Sequence, residues 1–253
     1  MLKLKLERNR FVKSLYVVFR LFTVDFRLSN LRNILWFFKD YISLIRIKNY
    51  RFKYAVVYPC LDDKTYKTPI DPTYFFQDSW AAKKIFENHP AHHFDIGSAA
   101  KTISIISQFT PTTMIDIRPI DLKIDNFDFV QGSILAIPFA DNSIYSLSSL
   151  CVIEHIGLGR YGDSIDAFGS EKAAKEIQRI LAKGGNFYCS LPVDKECNIY
   201  FNAHRAFSRN YVLELFSDLI LVEEKYHYGR AMYDSYDAQK GFGTGLFHFI
   251  KGA

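Results

Sequence analysis

Apolar positions along the chain fall into two regimes. Up to about residue 53 they recur at helical spacing. Phe11, Leu15, Val18 and Phe22 form one stripe; Leu31, Leu35, Phe38, Ile42 and Ile45 form a second, with Ser29 placed to cap its helix. From residue 92, short apolar runs alternate with helical patterns. Strands are predicted at 93–96, 113–117, 128–131, 144–150 and 186–191, and helices at 99–109, 171–182 and 208–216. Strands separated by helices must run parallel and be covered on both faces, because a parallel pair needs a crossover. The ending differs: 219–225 and 246–250 read as strands with no helix between them, so they pair antiparallel at one edge. The pattern predicts an α/β, doubly wound, mostly parallel sheet of seven strands. Three regions follow: a helical extension over 1–53, a connector and capping helix over 54–91, and a main domain over 92–253. The connector carries Pro59, Pro69 and Pro72, a short strand at 54–58 and a helix at 76–88 stopped by Pro90.

Charge sharpens this division. The 253 residues carry a formal charge of +5, yet residues 1–53 hold 13 Lys/Arg against 3 Asp/Glu and the remainder is net negative. Basic amphipathic helices of this kind either pack on a domain with their charges solvated or attach to an anionic membrane surface or lipid-linked substrate. Nucleic acid is disfavoured, since no motif beyond charge supports it. The apolar runs are too short to span a bilayer and no secretory signal is visible. Cys60, Cys151, Cys189 and Cys197 are too scattered for a disulfide framework or a zinc site. The expected location is cytoplasmic, peripheral at a membrane surface if the extension binds one. His89, His92 and His93 cluster near the first strand, but a strand sends His92 and His93 to opposite faces, so no metal site is expected.

The chemistry gathers at strand ends. The first strand runs into Phe94-Asp95-Ile96-Gly97-Ser98-Ala99-Ala100-Lys101, where a glycine permits a sharp turn and the next helix presents unpaired N–H groups. The second ends in Met114-Ile115-Asp116-Ile117, whose carboxylate can accept both hydroxyls of a ribose or cap its own turn. Then come Gln131-Gly132-Ser133-Ile134 through Pro138-Phe139, Asp141-Asn142-Ser143-Ile144, Val152-Ile153-Glu154-His155, and Leu181-Ala182-Lys183-Gly184-Gly185 with Gly184 as a helix C-cap.

In this order the series resembles the class I S-adenosylmethionine-dependent methyltransferases over about residues 92–250. Within them it looks closest to an uncharacterised domain-of-unknown-function branch. The strings carrying that narrower likeness include Tyr74 to Trp80, Asp116-Ile117-Arg118-Pro119, Ser148 to Asp163, Phe201-Asn202-Ala203-His204-Arg205 and Gly243-Thr244-Gly245-Leu246-Phe247. The resemblance implies a Rossmann-like fold and S-adenosyl-L-methionine as cofactor. Gly97 with the backbone of Ser98 and Ala99 would line its methionine part, and Asp95 would organise that loop or its amino group. Asp116 would hold the ribose, Ile117 would pack on adenine, and Gly132, Ser133 and Ile134 would face the adenine edge. Glu154 and His155 would lie beneath the methyl group.

If the acceptor is a hydroxyl, a base must take its proton. His155, Asp163 and His204 are the candidates, against local structural roles for each. The glycine-bearing loop 157–169 reads as a substrate lid or a plain crossover. The expected activity is methyl transfer to a small-molecule or saccharide acceptor, at oxygen. Two departures from the family pattern, Ala99 and Lys101 for glycines and Ser133 for aspartate, keep a non-catalytic binding or membrane-docking module as the rival. A nicotinamide-dependent dehydrogenase is disfavoured because G-x-G-x-x-G is missing.

Overall fold

The computed structural model describes residues 28–47 and 57–252. The predicted stripe from Phe11 to Phe22 lies outside them, as do residues 54–56 of the predicted strand, while residues 57 and 58 carry no strand. The chain divides into two compact units, 1–69 and 70–253.

In the first unit the described helix is α1 (Leu28–Ile45). Ser29, expected as its cap, lies inside it. Leu35, Phe38, Ile42 and Ile45 of the predicted stripe are exposed. Residues 61–64 lie against α1: Asn33 Nδ2 donates to the Leu61 carbonyl at 2.8 Å, and Lys64 Nζ lies 4.4 Å from the Trp36 ring centroid.

The second unit begins with α2 (Pro72–Asn88), which starts earlier than the apolar pattern indicates. Asp71 Oδ1 accepts from Thr73 N at 2.9 Å, and Pro72 at the first helical position is preorganised for helix. Then follow β1 (His93–Ile96), α3 (Ala100–Ile106), β2 (Thr112–Asp116), β3 (Phe127–Gln131), β4 (Ile144–Leu150), α4 (Gly169–Ile180) and β5 (Leu181–Val193). The remainder is a hairpin of β6 (Asn198–Tyr200) and β7 (His204–Ala206), then α5 (Arg209–Leu215), β8 (Leu219–Tyr228), β9 (Ala231–Tyr233) and β10 (Gly243–Lys251).

The main sheet has the order β3-β2-β1-β4-β5-β10-β8-β9, parallel from β3 to β5 and antiparallel beyond. It therefore has eight strands where seven were expected. The extra one arises because Gly229, at φ 60, lets the chain double back and pair Tyr228 with Ala231. Gly184 is not a helix C-cap: α4 ends at Ile180, Leu181 is already extended, and Gly184 occupies an outward bulge of β5 at φ 75.

Each face of the sheet buries a core. Leu147, Phe187 and Phe247 pack with Ile177 of α4 and Val212 of α5 on one side. Trp80 and Ile85 of α2 and Ile103 of α3 cover Met114, Tyr188 and Leu246 on the other. From β1 the chain proceeds outward to β2 and β3, then crosses back to β4. Strand order thus reverses between β1 and β4, and their carboxyl ends open a crevice of the kind that binds ligands in doubly wound sheets.

Candidate functional site

A buried polar chain shapes the turn after β1. Asp95 is fully buried; its Oδ1 accepts from Ser98 N at 3.1 Å, and its Oδ2 from Ser98 Oγ at 2.6 Å and Ser148 Oγ at 2.5 Å. Because the Ser148 hydroxyl donates there, it accepts from His93 Nε2 at 3.0 Å, and His93 Nδ1 in turn accepts from Ser146 Oγ at 2.8 Å. His93 is therefore neutral; burial holds it down at about 3. Burial also lifts Asp95 to about 6 against the hydrogen bonds of Ser148 and Ser98, which favour its ionised form. His92 turns elsewhere, with Nε2 2.8 Å from Thr113 Oγ1.

The network holds Gly97 at φ 69, its N–H donating to the Ile115 carbonyl at 2.8 Å. A Cβ there would stand 2.9 Å from Val152 Cγ1, so only glycine lets the turn lie against the end of β4.

Gly97 and Asp116 line the same cleft. Its walls are Ile96, Gly97, Ile115, Asp116, Ile117 and Arg118 on one side, Gly132 and Ile134 on a second, and Cys151, Val152, His155, Ile156 and Tyr161 on a third. Of the residues expected at a cofactor, Gly97, Asp116, Ile117, Gly132 and Ile134 line it. Asp95, Ser98, Ala99, Ser133 and Glu154 do not. Asp95 and Ser98 are occupied with each other, Ala99 precedes α3, and Ser133 Oγ accepts from Leu135 N at 3.2 Å within its own turn. Glu154 is 1% exposed, and its Oε2 makes no hydrogen bond. Burial raises it to about 8, partly opposed by its own backbone N–H and the Cys151 thiol. It is a neutral acid at pH 7.

The three base candidates separate. His155 lines the cleft; its Nδ1 must carry the proton, since it donates to the Ala203 carbonyl at 2.6 Å, which leaves the Nε2 lone pair 3.6 Å from Glu154 Oε1. Burial lowers His155 to about 4, so the ring is neutral. Asp163 folds the glycine loop instead, accepting from Gly157 N at 2.6 Å and Tyr161 N at 3.3 Å. His204 packs beside Tyr200 and Phe242, with ring centroids 5.0 and 5.5 Å away, outside the cleft lining.

Sequence reasoning gave no role to Arg118 or Arg205 and named Tyr161 only as part of the glycine-bearing loop. Arg118 follows Asp116 and turns back onto it. Tyr161 reaches the cleft from the glycine loop. Arg205, 6% exposed, donates to the carbonyls of Ile156 at 2.5 Å and Asp166 at 3.0 Å and so fastens both ends of that loop. The loop is a closed knot at its base, where a side chain at Gly157 would collide with the Asp166 carbonyl and one at Gly169 with that of Ile156. Only the glycine spacing hinted at this.

Solved structures share this architecture. A Burkholderia thailandensis 1,6-didemethyltoxoflavin-N1-methyltransferase, crystallised with 1,6-didemethyltoxoflavin and S-adenosylhomocysteine, superposes at a TM-score of 0.54 and 14% identity, covering 70% of this chain and 79% of its own. The N-methyltransferase NodS of Bradyrhizobium japonicum WM9, in complex with S-adenosylhomocysteine, gives 0.51 and 14%, covering 76% and 94%. The cyclase SpnF gives 0.52 and 12%, covering 70% and 82%. The fold is thus that of the class I S-adenosylmethionine-dependent methyltransferases. No curated protein matches the sequence. The family model described as "Caenorhabditis protein of unknown function, DUF268" matches residues 96–223.

Proposed function

The chain belongs to the DUF268 family, and from that premise together with its fold we propose that it is an S-adenosylmethionine-dependent methyltransferase acting on a small or glycan-like acceptor, at oxygen. One observation carries the reading: a glycine turn at φ 69 and the Asp116 carboxylate converge on one cleft at the β1/β4 reversal. The residues present fit the cofactor. Gly97 holds its turn at φ 69 close against Val152 in the cleft wall, Asp116 is positioned to accept ribose hydroxyls, and Ile117 and Ile134 offer apolar surface to an adenine. The bound structural neighbours, both methyltransferases, support the same assignment.

When bound, the sulfonium supplies a methyl group already activated for displacement, so the protein has to hold, orient and deprotonate. His155 is the base of this reading, because it alone of the three candidates lines the cleft and its Nε2 is unprotonated. Glu154 as a neutral acid places no fixed charge beside that lone pair. Asp163 and Arg205 set the loop that brings Tyr161 to the mouth. The rival, a non-catalytic docking module, rested on Ala99, Lys101 and Ser133; none of the three lines the cleft, so they do not weigh against cofactor binding.

Calorimetric titration with S-adenosylhomocysteine tests the proposal. Binding that weakens roughly ten- to a hundredfold in Asp116→Ala, the range for hydrogen bonds to a charged group, is expected. No heat at millimolar ligand would end it.

A further inference from the structure

The mouth of the cleft carries an arrangement that cofactor binding alone does not explain. Arg118 lies back on Asp116: its backbone N–H donates to Oδ1 at 2.8 Å, while its Nε and terminal nitrogen reach the two oxygens only at 3.4 Å. The same guanidinium stands 4.7 Å from the Tyr161 ring centroid. Arg160 stands 5.2 Å from that ring, and its terminal nitrogen donates to the Ala203 carbonyl at 2.9 Å. Among the described residues no carboxylate is in ion-pair contact with Arg160, whose charge acts on the buried Glu154 carboxyl and favours its ionised form. Two guanidinium groups thus share one tyrosine at the entrance, one loosely paired and one without an ion-pair contact.

The cleft behind them is narrow. Its interior measures about 90 Å³, whereas sites for drug-sized ligands run to roughly 300–1,000 Å³. Side chains at the mouth must therefore move to admit an adenosine. Arg118 can do so, its side chain being 61% exposed while that of Asp116 is only 10% exposed. Ribose hydroxyls directed at Asp116 compete for the oxygens that Arg118 touches. Displacing it costs little, since exposed ion pairs are weak, but the displaced guanidinium is left without a counter-charge beside Arg160.

Resting on the cofactor reading above, the geometry points to a latch with a second ligand: cofactor binding frees Arg118 from Asp116, and Arg118 and Arg160, both on Tyr161, then bind an anionic oxygen group, a phosphate or a carboxylate, on the methyl acceptor. A cationic acceptor is disfavoured by the same two charges. Because coupling is reciprocal, the anion tightens the cofactor as much as the cofactor tightens the anion.

Calorimetry on the full chain reads this directly, with inorganic phosphate and acetate as probes, each titrated with and without saturating S-adenosylhomocysteine. Phosphate is expected to bind at least about fivefold tighter with the nucleoside present, at the low end of allosteric couplings. Acetate showing the same coupling assigns the site to carboxylates as well; acetate showing none assigns it to phosphate. Arg118→Gln should bind S-adenosylhomocysteine about two- to fivefold tighter, the worth of one exposed ion pair, and lose the coupling. Arg160→Gln should weaken the anion in the presence of the nucleoside. Neither probe showing coupling, or Arg118→Gln weakening the nucleoside, overturns the latch while leaving the methyltransferase reading intact. Absence of any nucleoside binding to the wild-type chain removes both.

Discussion

At the scale of single residues, Gly97 and Glu154 carry the sharpest consequences. Gly97→Ala must adopt φ 69 and press its Cβ on Val152, so a loss of about 1–2 kcal/mol of stability is expected from the left-handed backbone alone, measured by urea unfolding. S-adenosylhomocysteine affinity should fall with it. Glu154 has a raised pKa in the folded chain, about 8 against an ordinary 4.5. A raised carboxyl contributes stability that is complete below the unfolded value and is lost as pH rises through the folded one. The Glu154 contribution to stability should therefore fall between about pH 4.5 and pH 8, so Glu154→Gln should remove that downward component from the wild-type Tm profile, a difference on the order of a few kcal/mol. A Gln variant with an unchanged slope would show that the buried carboxyl is not the titrating group. His155 works in the opposite sense: its lowered pKa stabilises the fold above about 6.5 and that contribution fades as pH falls through about 4.

At the scale of elements, the parts most easily read from the chain were those with strong periodicity. β1 and β4 match their predicted bounds, and α2, α4 and α5 fall within a few residues. The hairpin β6–β7 and strand β9 were not foreseen, since each is three residues long and neither alternates apolar with polar positions. The loop 157–169 was legible as glycine-rich but not as a knot, because its tie is Arg205, more than thirty residues away in sequence. Arg205→Met removes donors from the Ile156 and Asp166 carbonyls, at a cost of about 1–3 kcal/mol for buried groups left unpaired. Hydrogen exchange should report faster exchange at Gly157 and Asp166 than in the wild type, with the protection of β1 and β4 unchanged.

For the whole molecule, charge is divided along the chain, with residues 1–53 strongly basic and the remainder net negative. We expect the basic extension to draw the protein to anionic vesicles through about 1 kcal/mol per basic residue near the surface. Sedimentation with phosphatidylserine vesicles should decline steeply with salt and should be lost in a chain lacking residues 1–53; equal partitioning of both chains would dispose of the idea. The sheet's parallel half and the placing of Gly97 and Asp116 at strand ends follow from local patterns, since periodicity and turn chemistry act over a few residues. Which side chains actually meet does not. Arg118 on Asp116 and Tyr161, Asp95 locked to Ser148 and His93, and the sorting of His155 from Asp163 and His204 were decided by the tertiary structure, because each depends on distances between strands and loops that one-dimensional spacing leaves open.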